Sequence, residues 1–250
     1  MSTPRDPESL AALLGETNTS IGDALFALSE VLTERAGLVE HGRFALDELA
    51  DTVAEPTTTG IVNALFGADG FRGDVEDYHS EENSLLDRVL DRRLGMPVTL
   101  SAVVIEVGAR VGVPLTMIGM PGHVIVGTDK SDHFIDAFGG VEVDTRWVEK
   151  RFEAIYGPGG TIQSSAMQTL NVVGAVNRVS NNLMRTWIDD DSAKLDRLLE
   201  VRSIMPGSPA DRGMLIEVAT GRARFDIAAR LREANDPDDP EIDALWARLN

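Results

Sequence analysis

The chain contains no cysteine in 250 residues. This excludes disulfides, thiolate zinc sites and iron–sulfur clusters, and it removes the thiolate as a nucleophile. Lysine is nearly absent as well. Lys130, Lys150 and Lys194 are three of the 23 basic residues, which leaves 20 arginines. Against 41 Asp and Glu the formal charge is −18. So acidic a surface repels polyanions, so neither nucleic acid nor an anionic membrane is an expected partner. No apolar run reaches the roughly 20 residues of a membrane helix. The first residues, Met1-Ser-Thr-Pro-Arg-Asp, lack the basic and apolar regions of a secretory leader, and a cytoplasmic location is expected.

The length allows one large domain or two small ones. Up to about Phe66 the pattern is helical, with Leu25, Leu28, Val31 and Leu32 three and four apart, a second helix from about His41 to Val53 and a third from Ile61 to Phe66. Residues 67–82, rich in Gly and carboxylates, predict a surface loop. Asn83-Ser84 then opens a helix, Ser84 with Asp87 forming a weak capping-box pattern. Thr99 to Val111 is apolar nearly all round, which predicts a buried helix ended by Gly112 and Pro114. After it the period changes to two. Strands are predicted at 115–119, 123–127, 133–137 and, weakly, 141–144, close enough to form an antiparallel meander. The remainder is helical: Trp147 to Tyr156, a long segment from about Ser164 to Ile188, then helices near 193–204, 210–220 and 222–235. Pro206 and Pro240 are 34 residues apart, the period of tetratricopeptide helix pairs.

Only four histidines are present, at 41, 79, 123 and 133. If Thr128-Asp129-Lys130-Ser131 is the loop between the second and third strands, paired positions sum to 259 and His123 lies directly opposite Asp136. A carboxylate there can orient and charge-stabilise an imidazole. In this register Ile125 and Phe134 share the His123 face while Val124, Val126, His133 and Ile135 take the other, so both faces are apolar and the hairpin lies in a covered sheet. A buried His–Asp pair is either a structural hydrogen bond, the commoner case, or half of a catalytic site.

The stretch from Phe66 to Gly140 resembles the transglutaminase-like ("transglutaminase core 2") domain of the SirB family. The resemblance rests on Asn83-Ser84-Leu85-Leu86, Val89-Leu90-Asp91-Arg92-Arg93-Leu94-Gly95-Met96-Pro97-Val98-Thr99-Leu100-Ser101, Gly112-Val113-Pro114, Pro121-Gly122-His123 and Phe134-Ile135-Asp136-Ala137-Phe138-Gly139-Gly140. Asn181-Asn182-Leu183 and Asp211-Arg212-Gly213-Met214-Leu215 are similar to the tetratricopeptide-like tail of those proteins. The resemblance implies an α+β fold with a papain/transglutaminase-like core, a central helix packed on a small antiparallel sheet, flanked by N-terminal helices and a C-terminal α-hairpin array. It divides the chain into an N-terminal helical segment (1–66), the core (67–160) and a helical tail (161–250).

In that fold the nucleophilic Cys sits at the N-terminus of the central helix, where the helix dipole lowers a thiol pKa and free N–H groups form an oxyanion site. His123 takes the His position and Asp136 the Asp position. The Cys position falls at about Pro97, which has neither a nucleophilic atom nor an N–H. Asp136-Ala137 stands where the family usually has Asp-Pro. Thr99 or Ser101 is an alternative nucleophile, against the ordinary roles of helix cap and small core residue; two residues apart on a helix, at most one of them faces His123. Asn83 and Glu106 are candidate cleft-lining residues, with N-capping for the first and pairing with Arg110 for the second as the plainer roles. A metal site of His123, His133, Asp136 and Glu106 is disfavoured because His133 faces away, and no cofactor is expected. These residues imply a non-catalytic transglutaminase-like protein that binds a protein or peptide; a Thr/Ser-His-Asp hydrolase or acyltransferase is the alternative.

Overall fold

The computed structural model describes residues 3–157, 167–189, 193–205 and 209–233. Four helices lead: α1 (Pro7–Leu14), α2 (Ile21–Thr33), α3 (Leu38–Asp51) and α4 (Thr58–Leu65). Asp6, Ser20 and Thr57 cap α1, α2 and α4 by accepting from backbone N–H groups three residues on. The α2 helix is buried almost all round, from Ala24 to Leu32, because it packs against α3, α8 and α6 at once. Its apolar spacing alone suggests only one covered face.

The loop after α4 holds β1 (Arg72–Gly73), which pairs in parallel with β2 (Leu94–Gly95), and a 3-10 turn at Glu81–Asn83. The next helix, α5 (Leu86–Arg92), starts one residue later than the Ser84/Asp87 capping pattern suggests. Leu85 is its N-cap and no side chain caps it, so the Ser84/Asp87 box does not form. Asp87 pairs with Arg35 at 2.7 Å instead. Helix α6 (Pro97–Arg110) is the buried helix that the sequence predicts; only Ile105, Ala109 and Arg110 are not fully covered.

The sheet follows the meander. Strands β3 (Thr116–Met120), β4 (His123–Gly127), β5 (His133–Asp136) and β6 (Val141–Asp144) are antiparallel neighbours in chain order, and β7 (Gln168–Thr169) adds to the far edge of β3. Residues 168 and 169, read as helical from the sequence, are too few to show a period. One sheet face packs on α6 through Met117, Val124, Val126 and Ile135; the other, through Met120, Ile125 and Phe134, meets Val148 and Phe152 of α7 (Thr145–Tyr156). The chain is thus α+β.

The β4–β5 register differs from the expected one. Gly127 pairs with Phe134 and Val126 with Ile135, so paired positions sum to 261 and the loop is two residues longer. An even shift leaves every side chain on its expected face. His123 and Asp136 become diagonal rather than direct neighbours.

The tail comprises α8 (Val172–Trp187), α9 (Ala193–Ile204), α10 (Pro209–Gly221) and α11 (Phe225–Glu233). Successive helices pack pairwise, α9 also touches α1 and α2, and α8 touches α2. Buried residues from α1 to α11 form one apolar cluster. Pro206, Pro240 and the expected helical start at Ser164 lie outside the described residues. Among the described residues no helix is long and apolar enough to cross a membrane.

Candidate functional site

The β3–β4 turn carries the histidine. Pro121 fixes one φ, Gly122 takes a φ of 66°, and His123 begins the returning strand opposite Met120. Arg178 of α8 fastens the turn from outside, its Nη2 donating to the Met120 carbonyl at 2.7 Å and the His123 carbonyl at 2.9 Å.

His123 is 7% exposed and Asp136 6%. The imidazole Nε2 lies 2.9 Å from Asp136 Oδ1, which also accepts from the Phe138 N–H at 3.2 Å. A Cβ on Gly139 would meet Asp136 Oδ2 at 2.7 Å, so only glycine there leaves the carboxylate its place. The other ring nitrogen, Nδ1, is 3.3 Å from Arg151 Nη2, which is also 3.4 Å from Nε2. Arg151 is held in turn over the Trp147 ring, 4.8 Å from its centroid. The imidazole is thus enclosed between a carboxylate and a guanidinium.

Pro97 is the first residue of α6 and faces the same cleft as His123. The hydroxyls beyond it take no part there. Thr99 is fully buried; its Oγ1 donates to the Asn83 carbonyl at 2.7 Å and accepts from Met96 N–H at 3.1 Å, closing the start of α6. Ser101 is fully buried and its Oγ has no hydrogen-bond partner among the described residues. Neither hydroxyl bonds His123, so the structure does not bring Thr99 or Ser101, the alternative nucleophiles, to the imidazole.

The two candidate cleft-lining residues also face elsewhere. Asn83 is fully buried, donating through Nδ2 to Asp77 O at 2.7 Å and accepting from Arg92 Nη1 at 3.0 Å. It ties the loop that carries Tyr78 and His79 to α5. Within that loop Asp74 accepts from the Asp77 N–H, the main reason its carboxyl lies below the usual range, with Asn83 and Arg92 adding to the effect. Glu106 accepts from the Gly22 N–H at 2.7 Å and pairs with Arg110 at 3.0 Å, capping α2 from the opposite side of the core. Among the described residues no three His, Asp or Glu side chains gather closely enough to hold a metal ion. His133 is exposed, beside Asp132.

The cleft itself has a volume of about 320 Å³. Met96, Pro97, Val98 and Val124 form one side, and Arg178, Asn181, Asn182 and Arg185 of α8 the other. The α8 residues are spaced i, i+3, i+4, i+7, which puts them on one face of the helix. The opposite face, including Val176, Val179, Leu183 and Trp187, is buried in the core. Helical spacing around the motif Asn181-Asn182 is therefore the signal by which the two arginines could have been found from sequence. Tyr78 and His79 complete the wall from a loop whose sequence carries no such signal.

A family model described as the transglutaminase-like superfamily matches residues 24–181, from α2 through the sheet to the cleft face of α8. The chain belongs to the transglutaminase-like superfamily. Within it, the chain is similar to UPF0162 proteins. One from Xylella fastidiosa strain 9a5c is 30% identical over 188 residues, covering 70% of this chain and 66% of the relative. One from Pseudomonas aeruginosa is 24% identical over 219 residues, covering 85% and 80%. F-box only protein 21 of Mus musculus is 28% identical over 164 residues, 61% of this chain but 24% of that protein. The match thus spans just under two thirds of the Xylella relative's length. No solved structure matches. In this transglutaminase-like chain no thiol is available at any position.

Proposed function

We propose that the protein is a non-catalytic transglutaminase-like protein whose cleft, between the start of α6 and the cleft face of α8, binds a peptide segment. The observation that carries this is Pro97 at the first position of α6, across the cleft from an otherwise complete His123–Asp136 pair, in a chain without cysteine. Proline at that place supplies no attacking atom, and the nearby hydroxyls are engaged or enclosed. His123 and Asp136 then serve to shape and rigidify the cleft wall, with Arg151 as their third member. The motif blocks from Asn83 to Gly140 favour the SirB group within the superfamily. The paired helices α8 to α11 favour a tetratricopeptide-like tail, which presents additional surface to a protein partner. A partner other than nucleic acid fits the −18 charge, and a cytoplasmic location fits the lack of a membrane-crossing helix among the described residues.

The test is one incubation with a defined pool of acetylated tetrapeptides, followed by NMR of the isotope-labelled protein and mass spectrometry of the peptides. Shifts of Val98, Gly122 and Asn182 amides with no peptide cleaved or joined are expected. Turnover that disappears in His123→Ala overturns the non-catalytic part, and unperturbed cleft amides overturn the binding part.

A further inference from the structure

The cleft wall is chemically unlike the rest of the molecule. In a chain with 41 acidic residues, the wall carries Arg178, Arg185, two histidines and two asparagines, and among the described residues no carboxylate. Arg178, Arg151 and Arg185 all act as positive charges on Tyr78, whose pKa is nevertheless raised by burial. Among the described residues none of these three arginines meets a carboxylate. Burial, and then the like charge of Arg185, hold the Arg178 guanidinium below its ordinary pKa.

Its donors are only partly used. Nη2 serves two carbonyls, and the remaining N–H groups of its five have no protein partner among the described residues. Asn181 is oriented by Arg202, a buried residue of α9 whose Nη1 donates to Asn181 Oδ1 at 2.6 Å. An arginine can only donate, so the amide oxygen is fixed toward α9 and the Asn181 NH2 group is left for the cleft. The α6 N-terminus adds positive potential on the apolar side. A wall of donors beside an apolar wall selects a ligand with an anionic end next to an apolar group.

We propose that the cleft takes the C-terminus of a peptide, its carboxylate held by Arg178, Arg185 and the Asn181 amide and its last side chain, a small aliphatic one, against Pro97, Val98 and Val124. This rests on the peptide-binding function above and names what part of the peptide is read. A monoanion suits the site better than a phosphate dianion, because the −18 field opposes each added negative charge. The volume of about 320 Å³ lies at the small end for ligand pockets and admits a chain end rather than a threaded segment.

The experiment titrates the full chain by NMR with acetyl-Ala-Val as the free acid, its C-terminal amide, acetyl-Ala-Asp amide and inorganic phosphate. The free acid is expected to saturate shifts at Val98 and Asn182, with the amide at least tenfold weaker. Arg185→Gln, at an exposed position, should weaken the free acid about tenfold and leave the amide unchanged, with circular dichroism as the check on folding. Equal binding of acid and amide overturns carboxylate recognition while leaving peptide binding intact. Equal binding of acetyl-Ala-Asp amide overturns recognition of the chain end in favour of a side-chain carboxylate. Phosphate that displaces the free acid at equal concentration shows a general oxyanion site and overturns the proposal. If no probe shifts the cleft, the proposal falls; whether peptide binding falls with it is read from the tetrapeptide pool.

Discussion

Outside the cleft lining, Glu30, Asp74, Asp87 and Glu106 are all buried, and each meets an arginine: Arg5, Arg92, Arg35 and Arg110. In the cleft, Arg178 and Arg185 line one wall and, like Arg151 beside His123, meet no carboxylate among the described residues. The acidity of this chain is therefore structural where the carboxylates are buried beside arginines. A buried carboxylate is tolerated only when cations and N–H groups replace its lost water, and two of the four do more. Glu30 accepts from Leu38 and Val39 at the start of α3, and Glu106 from Gly22 at the start of α2. These acids hold helices to one another, Glu30 across the short α2–α3 connection and Glu106 across 84 residues of sequence. Arg178 holds one turn through carbonyls, and its remaining donors and the exposed Arg185 are left to the cleft, which suits a surface that awaits an anion rather than one that holds the fold.

The largest effect expected from this contrast is in the core. Glu106→Ala leaves the Gly22 N–H without its acceptor and Arg110 without its inner partner, and should destabilise the protein by about 3 kcal/mol in urea unfolding. A loss below about 1 kcal/mol would show that the acid is incidental to the packing of α2. Gly22 belongs to the same contact, since a Cβ there would lie 2.8 Å from the Glu106 side chain.

A smaller effect, visible through pH, is expected at Asp74. Its folded carboxyl is depressed, chiefly by the Asp77 N–H, so its contribution to stability is present above the ordinary carboxylate range and fades as pH falls through the depressed folded value. Asp74→Asn should therefore be less stable than the unaltered chain at pH 7, and the gap should narrow below about pH 4. A gap that stays constant from pH 7 to pH 3 contradicts this account.

The features legible in the sequence are those with a local period or a local turn. The all-round apolar run of α6 predicts its burial, and the alternation in β4 and β5 places His123 and Asp136 on one sheet face even though the loop is two residues longer than supposed. A period of two tolerates an even error. What was not legible depends on partners distant in sequence. Glu106 pairs with Arg110 as its spacing predicts but also caps a helix 84 residues away, and Thr99 caps its own helix as predicted but does so on the Asn83 carbonyl, 16 residues back. Short side chains with several possible bonds are assigned by tertiary neighbours. Arg178 and Arg185 were missed for another reason: their spacing marks a helix face, but only the fold shows that β4 and α6 stand opposite it.

The smallest effect on stability is expected in the cleft, and its sign decides the comparison. Arg185 is exposed and repels Arg178 across the wall, while no carboxylate among the described residues would lose a partner on its removal. Arg185→Gln should therefore change the unfolding free energy by less than about 0.5 kcal/mol, in the stabilising direction, and more so at low salt, where repulsion is less screened. If Arg185 were instead an unrecognised structural anchor, as Arg110 is for Glu106, the same substitution would destabilise the chain at every salt concentration. A small gain that shrinks with added salt marks a charge kept against the interest of stability, as expected where a ligand rather than the fold supplies the counter-charge.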